Sequence, residues 1–370
     1  MNKKVCFFTG SQALPGGTER ACSDVANTIR RAGYSVTILS QYNGKKSFYE
    51  VDSGIELREL FPLRPCGSTG FLKTSWRLFR FVVRNRPDVL IAVESLSFLF
   101  LVFCFFLPNR PVVVNWEHFN AEIDLGLKSR NFARRLAVWL SDKIVVLSDK
   151  DKQCWKTYLK CPDDKVIRIY NLNPVSVNAN ARSKDDTSLQ RRVLAAGRLT
   201  YQKGFDLLIK AWSSLPEEQR EGWNLRICGE GNDRPILERL IEKFGLGKEV
   251  QLVGQISDIK SEYEGADLFV LSSRFEGFGL VVLEALSFGV PVVSFDCPAG
   301  PSEIIENEVD GVLVPSEDIE RLSDAIASII NDEHKRLLMA RAALRDRPQF
   351  SREVVGAQWI SLLESLGCCR

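Results

Sequence analysis

Ala266–Phe295 reads ADLFVLSSRFEGFGLVVLEALSFGVPVVSF. Asp267 to Leu271 is an apolar run of strand length, and Ser272 to Gly279 is a loop carrying two glycines. An apolar helical stretch then begins near Leu280 and stops at Gly289, with Pro291 blocking its continuation. Val292 to Phe295 supplies a second strand. Strand, loop, helix and strand in this order form a βαβ unit, which requires a parallel sheet. Two carboxylates interrupt the apolar run, Glu276 in the loop and Glu284 in the second turn of the helix. Leu280, Leu283, Ala285 and Leu286 leave Glu284 two choices, a polar stripe facing solvent or a polar partner inside, because an unpaired buried carboxylate is very costly. Gly277 and Gly279 uncover backbone N–H groups at a helix N-terminus, a place suited to hydroxyl or phosphate oxygens.

The same alternation extends in both directions. Strands are expected at Lys4–Thr9, Ser35–Ser40, Val89–Val93, Val112–Trp116 and Ile144–Leu147, with helices at Gly17–Gly33, Thr74–Val83, Phe132–Leu140 and Lys150–Leu159. Asn171 to Gln190 then loses apolar periodicity, as an interdomain linker does. A second series follows, with strands near Val193–Ala196, Leu225–Cys228, Gln251–Val253, Asp267–Leu271, Val292–Phe295 and Val312–Val314. Helices are expected at Phe205–Ser214, Arg234–Phe244, Leu280–Phe288, Ile319–Ile330 and Lys335–Leu344. The fold class is therefore α/β, two doubly wound Rossmann-like domains in tandem, with ligands at the carboxyl ends of strands. The domains are placed at 1–180 and 181–350, with 351–370 a C-terminal helix returning to the first domain. A length of 370 residues agrees with two cores.

Net charge is +2, but residues 1–190 hold 28 Lys and Arg against 18 Asp and Glu, and the remainder 21 against 29. A basic first half favours an anionic partner such as an acidic membrane surface or a phosphorylated substrate. The acidic second half argues against nucleic acid. Ten cysteines without a CxxC pair, only Cys368-Cys369 being adjacent, suggest neither a zinc site nor a disulfide framework. With no signal peptide evident, a reducing cytoplasm is expected. Val89 to Leu107 is apolar enough to suggest a membrane span, but Glu94 interrupts it and a buried strand, turn and apolar helix fit it better.

"AAGRLTYQKGFDLLIKAW" (Ala195–Trp212) sets Arg198 and Lys203 between a strand end and a helix start, aiming two cations at one crevice. A pyrophosphate is the natural object of such a pair. Pro15-Gly16-Gly17-Thr18-Glu19 follows the first strand in the manner of a phosphate-cradling turn. It matches neither G-x-G-x-x-G nor a P-loop, so dinucleotide and NTPase readings lose support. Gly229-Glu230-Gly231 is by itself only a good βα turn. His118 lies just beyond an apolar strand, with Glu117 and Asn120 beside it as a polar wall, whereas His334 falls in a charged helix. Asp149-Lys-Asp151 after the strand Lys143–Leu147 has the D-x-D form of a metal site, but capping of the next helix by Ser148 or Asp149 explains it more simply.

Gly16-Gly17, "GRLTYQKG" (Gly197–Gly204), "GEGNDR" (Gly229–Arg234) and "SRFEGFGLVVLEALSFGVPVV" with its E-x7-E spacing together resemble the retaining glycosyltransferase family 4, of GT-B fold, over essentially the whole chain. The resemblance implies two Rossmann-like domains facing a central cleft. It implies that Arg198 and Lys203 bind the diphosphate of a nucleotide-sugar donor, that Glu284 takes the ribose hydroxyls, and that Glu276 with Gly277, Phe278 and Gly279 holds the donor sugar. The backbone near Gly254 to Ile256 would pack on the base, Gly197 and Leu280 would complete the donor contacts, His118 would face the donor sugar, and Gly16-Gly17 would lie between phosphate and acceptor. No metal or other cofactor is expected, since fixed cations at the phosphate replace one.

"TSWRLFRFVVRNR" (Thr74–Arg86) and "KSRNFARRLAVWL" (Lys128–Leu140) interleave aromatic and cationic residues, which suits peripheral attachment to an anionic leaflet. "FDCPAGPSEII" (Phe295–Ile305) resembles members that build O-antigen, capsule or exopolysaccharide repeat units. The expectation is a hexosyl or N-acetylhexosaminyl transferase using a UDP-sugar, or a GDP-sugar, on a lipid-linked glycan at the cytoplasmic face of the inner membrane. The alternatives are a nucleotide-sugar 2-epimerase of similar architecture and a non-catalytic nucleotide-sugar-binding protein.

Overall fold

A computed structural model describes residues 3–124, 126–175, 191–256 and 258–367. Residues 176–190 of the expected linker and the Cys368-Cys369 pair lie outside the described residues. The chain forms two compact units, the first of Met1–Leu172 with Pro348–Arg370 and the second of Asn173–Arg347. The divisions thus fall at 172/173 and 347/348, a few residues before the 180/181 and 350/351 boundaries read from composition. The fold is α/β in both units, two Rossmann-like parallel sheets.

In the first unit the strands are β1 (Lys4–Thr9), β2 (Ser35–Tyr42), β3 (Glu56–Phe61), β4 (Val89–Val93), β5 (Val112–Trp116), β6 (Lys143–Val146) and β7 (Val166–Arg168). They pair in parallel in the order β3-β2-β1-β4-β5-β6-β7. β4 and β5 are buried along their whole length, because helices cover both faces of a parallel sheet. The helix Arg352–Gly367 belongs to this unit: it lies along the helix Gly17–Arg31, and its Trp359 ring meets Trp116 at 4.8 Å.

The second unit contains β8 (Arg191–Ala196), β9 (Trp223–Cys228), β10 (Val250–Gly254), β11 (Leu268–Leu271), β12 (Val292–Asp296) and β13 (Gly311–Pro315). Their order is β10-β9-β8-β11-β12-β13, again all parallel. The chain reverses its direction of travel across the sheet between β8 and β11. At that point the loops after the two strands diverge to opposite faces and leave a crevice at their carboxyl ends. A core built on Trp212, Leu225, Ile227, Leu268, Phe295 and Ile326 holds the sheet against its helices.

Two edge elements depart from the sequence reading. β3 mixes charged and apolar residues and β7 is three residues long, so neither presents the continuous apolar run by which the central strands are recognised. Val89–Leu107 becomes β4, a short helix Ser95–Phe98 and a 3-10 turn series Leu99–Phe106, instead of an α-helix after the strand. Among the described residues no helix is long and apolar enough to cross a membrane.

Candidate active site

The second unit brings Arg198, Lys203 and Glu276 to its switch point, the cations on the loop after β8 and the carboxylate on the loop after β11. Lys203 Nζ donates to Glu276 Oε1 at 2.6 Å, and Ser273 Oγ donates to the same oxygen at 2.6 Å. Glu276 is 6% exposed. Arg198 differs: it is exposed and has no side-chain partner among the described residues. Lys203 is thus paired within the crevice, and Arg198 is the cation of the two whose head is uncommitted among the described residues.

Backbone contact between loops produces this arrangement. Gly204 has φ of 61°, and a Cβ there would stand 2.1 Å from the Ser272 carbonyl oxygen, so only glycine lets the Lys203 loop close on the β11 loop. Ser272 Oγ donates to the Lys203 carbonyl at 3.0 Å and fixes the approach. The Gly229-Glu230-Gly231 turn acts likewise from the other side. A Cβ on Gly231 would lie 2.1 Å from the Leu199 oxygen, and Leu199 N donates to Glu230 O at 2.9 Å. This turn therefore holds the Gly197-Arg198-Leu199 loop in place. Gly197 itself lies under the Lys203 stem, where a Cβ would be 3.0 Å from Cε.

Glu284 takes the second of its two choices. It is 6% exposed in the helix Leu280–Ser287, and the Tyr263 hydroxyl donates to its Oε2 at 2.8 Å. Tyr263 is wholly buried, stacked on Phe288 at 5.6 Å. Gly279, with φ of 91°, turns the loop into this helix, and Gly277, Phe278 and Leu280 flank it. Ile256 is half-buried in the loop after β10.

Arg274, Ser273 and Tyr263 escape the sequence reading. Arg274 reaches back with both terminal nitrogens to Asp206 at 2.9 Å each, bonds Glu317 at 3.0 Å through Nε, and covers the Tyr201 ring at 4.0 Å. It braces the Glu276 loop against the helix Phe205–Ser214. The Asp206 carboxyl, which burial alone would raise, is held below its usual value by this arginine. The signal that could have found Ser273 is a hydroxyl three residues before Glu276; Tyr263 gave no local signal, being 21 residues from Glu284.

In the first unit Gly16 caps the helix Gly17–Arg31 after β1, its N–H donating to the Tyr49 hydroxyl at 3.2 Å. His118 follows β5 and lies 4.4 Å from Trp116, ring to ring. Burial lowers His118 to a pKa of about 4, and its Nε2 finds no partner among the described residues. The loop is set by Glu117, whose Oε1 accepts the N–H groups of His118 and Phe119 at 3.1 Å each. Arg134 Nε at 2.8 Å and Ser95 Oγ at 2.5 Å hold the other oxygen. Burial opposes ionisation of Glu117, but Arg134 and Arg130 prevail and its pKa is lowered.

The D-x-D residues point apart. Ser148 Oγ caps the helix Asp149–Thr157 by accepting from Asp151 N at 3.0 Å. Asp149 is exposed and paired with Arg168 at 3.3 Å, while buried Asp151 accepts from Ala121 N at 2.7 Å. Burial and the Glu117 charge raise Asp151 to about 8. Among the described residues no cluster of His, Cys, Asp and Glu has the form of a metal site.

Two family profiles match successive parts of the chain, "Glycosyltransferase Family 4" over residues 15–172 and "Glycosyl transferases group 1" over residues 179–346. The chain belongs to glycosyltransferase family 4. The amylovoran biosynthesis glycosyltransferase AmsD of Erwinia amylovora is 28% identical over 94% of this chain and 96% of its own. A Campylobacter jejuni alpha-1,4-N-acetyl-D-galactosaminyltransferase, named for an undecaprenol-diphosphate glycan, is 25% identical over 94% of this chain and 95% of its own. The solved structure of Anabaena HepE, described in complex with UDP and glucose, shares the fold with a TM-score of 0.80 at 20% identity, over 97% of this glycosyltransferase and 99% of that chain. The GT-B architecture of the glycosyltransferase thus accounts for both parallel sheets.

Proposed function

We propose that this glycosyltransferase moves a hexosyl or N-acetylhexosaminyl unit, with retention, from a UDP-sugar to a lipid-linked saccharide in surface polysaccharide synthesis. The observation that carries the donor assignment is the exposed Arg198, without a side-chain partner among the described residues, beside the Lys203–Glu276 pair at the switch point of the second sheet. Such a site holds a diphosphate on Arg198 and Lys203 while Glu276, backed by Ser273, takes hydroxyls of the transferred sugar. Glu284, fixed by Tyr263, is assigned to the ribose, and Ile256 to the base. Gly16, Gly17 and neutral His118 are assigned to substrate contact in the first unit.

Catalysis on this reading rests on the two cations. As the glycosidic bond breaks, negative charge develops on the departing phosphate, and preorganised donors at such a place are each worth about 3 kcal/mol. The same phosphate oxygen then takes the proton of the acceptor hydroxyl on the face it leaves. The two cations supply what a divalent metal would, so the reaction is proposed to need none. HepE, described with UDP and glucose, supports the base, with GDP as the alternative; the Campylobacter enzyme, named for an undecaprenol-diphosphate glycan, supports the acceptor class, and AmsD supports a place in polysaccharide synthesis.

A peripheral membrane position is part of the proposal. The helices Gly67–Asn85 and Lys128–Leu140 and the turn series Leu99–Phe106 expose Trp76, Phe132, Trp139 and Phe106, the last two more than 80% accessible. Lys73, Arg80, Arg84, Lys128 and Arg135 are exposed on the same helices. Aromatic side chains and cations interleaved on one surface suit the headgroup region of an anionic leaflet. The assay is transfer to extracted lipid-linked acceptors from a panel of UDP- and GDP-sugars, read by mass spectrometry with and without EDTA. Product from a UDP-sugar that withstands EDTA supports the reading; activity restored only by manganese overturns its metal independence.

A further inference from the structure

A cavity of about 550 Å³ opens at the carboxyl edge of β1, β2 and β3, lined by Asn43, Lys45, Lys46, Phe48, Glu59 and their neighbours. Its volume lies within the roughly 300–1,000 Å³ of small-molecule sites. None of these residues belongs to the donor constellation, and no motif in the sequence marks them.

The walls are fixed by the fold. Phe48 N donates to Gln12 O at 2.9 Å, Asn43 N to Phe61 O at 3.1 Å, and Gly44 N to Glu59 Oε2 at 2.9 Å. Tyr49, next along, bonds Gly16 N at 3.2 Å, so the cavity wall is continuous with the Gly16-Gly17 turn. Inside, an aromatic face is left accessible: Phe48 is 46% exposed and held edge-on by Tyr49 at 5.1 Å. Beside it stand a largely buried carboxylate, Glu59, an exposed amide, Asn43, and two lysines. Lys45 Nζ is 3.6 Å from Glu59 Oε1, whereas Lys46 has no partner among the described residues. The cavity therefore keeps one cation in excess.

An aromatic ring, hydroxyl-binding carboxylate and amide groups, and a surplus cation describe an acidic sugar. We propose that this cavity is the subsite for a negatively charged residue of the acceptor glycan, whose pyranose ring lies on Phe48. Its hydroxyls meet Glu59 and Asn43, and Lys45 and Lys46 take its carboxylate or phosphate. The assignment rests on the glycosyl-transfer reading above and adds to it the charge class of the acceptor.

The test is saturation-transfer NMR on the full chain, with methyl glucuronide, glucose 6-phosphate, methyl glucoside and inorganic phosphate as probes. Either charged sugar should bind at least fivefold tighter than methyl glucoside, and whichever does so tells a carboxylate from a phosphate. Lys45→Ala/Lys46→Ala should remove the preference, Phe48→Ala should weaken all three sugars, and the thermal shift produced by UDP should be unchanged in every variant. Equal binding of charged and neutral sugars, no sugar binding, a preference that survives loss of both lysines, or phosphate binding as tightly as glucose 6-phosphate would each overturn the proposal. Absence of a UDP shift in the wild type would instead count against the donor reading, and the sugar data would stand apart from it.

Discussion

Arg198→Ala and Lys203→Ala are expected to cost activity alike and stability unlike. Arg198 is exposed and has no partner among the described residues, so its truncation should change folding free energy by no more than about 0.5 kcal/mol. Lys203 neutralises Glu276, which is 6% exposed and would be left with Ser273 alone. Breaking a fully buried pair costs about 3–5 kcal/mol; because the Lys203 side chain keeps 17% of its accessibility, roughly 2 kcal/mol is the reasonable figure here. For a unit of this size that lowers Tm by about 4–8 °C, against less than about 2 °C for Arg198→Ala. Both variants remove a cation from the diphosphate, and each should lower kcat by about 10²–10³-fold. Adding Glu276→Gln to Lys203→Ala should return part of the lost Tm, since the orphaned charge is gone, without returning activity. Differential scanning fluorimetry without ligand and steady-state transfer rates read the two effects separately. An Arg198→Ala enzyme within threefold of wild type would refute the assignment of that side chain to the diphosphate. A Tm loss in Arg198→Ala equal to that in Lys203→Ala would refute the structural distinction between them.

Tyr263→Phe should raise KM for the donor about tenfold with a smaller effect on kcat, because it removes one hydrogen-bond donor from the Glu284 carboxylate and leaves the carboxylate itself in place; an unchanged donor KM would remove Tyr263 from the site. Gly231→Ala forces a methyl against the Leu199 carbonyl and should weaken UDP binding by displacing the Arg198 loop, a result checked by calorimetry and contradicted by wild-type affinity. His118, held at about 4 by burial against an ordinary 6.5, takes up its proton in the unfolded chain first. Stability is therefore lost as pH falls from about 6.5 to about 4, by roughly 3 kcal/mol for this group. His118→Asn should flatten that acid-side loss. Asp151, raised to about 8, and Glu94, raised to about 7, act in the opposite direction in both proteins; identical denaturation profiles from pH 7 to 4 would contradict the burial of a neutral imidazole. Trp139→Glu with Phe106→Glu should weaken sedimentation with anionic liposomes at least tenfold while soluble UDP binding persists, and wild-type binding indifferent to lipid charge and salt would count against membrane attachment.

The central strands were legible because helices cover both faces of a parallel sheet, so β4 and β11 appear as unbroken apolar runs and β5 as one interrupted only by Asn115. β3, at an edge, carries Glu56, Arg58 and Glu59 and resembles a loop in sequence. Candidate residues at strand ends were legible for the same geometric reason: Arg198, Lys203, Glu276 and His118 each follow a recognisable strand. Their partners were not. Lys203 meets Glu276 across 73 residues, and Arg274 meets Asp206 across 68, distances over which no local pattern links two side chains. The E-x7-E spacing suggested two ligand contacts, yet Glu284 owes its position to a tyrosine buried on a neighbouring helix. The lysines beside Phe48 look like ordinary surface charge until β2 and β3 place them around a cavity.

Calorimetric titration of UDP into wild type, Arg198→Ala and Lys203→Ala tests the central claim most directly. The account predicts saturable one-to-one binding to the wild type and at least tenfold weaker binding to each variant. Affinity for UDP that is equal in all three proteins, or a wild type that binds neither UDP nor GDP, would contradict it.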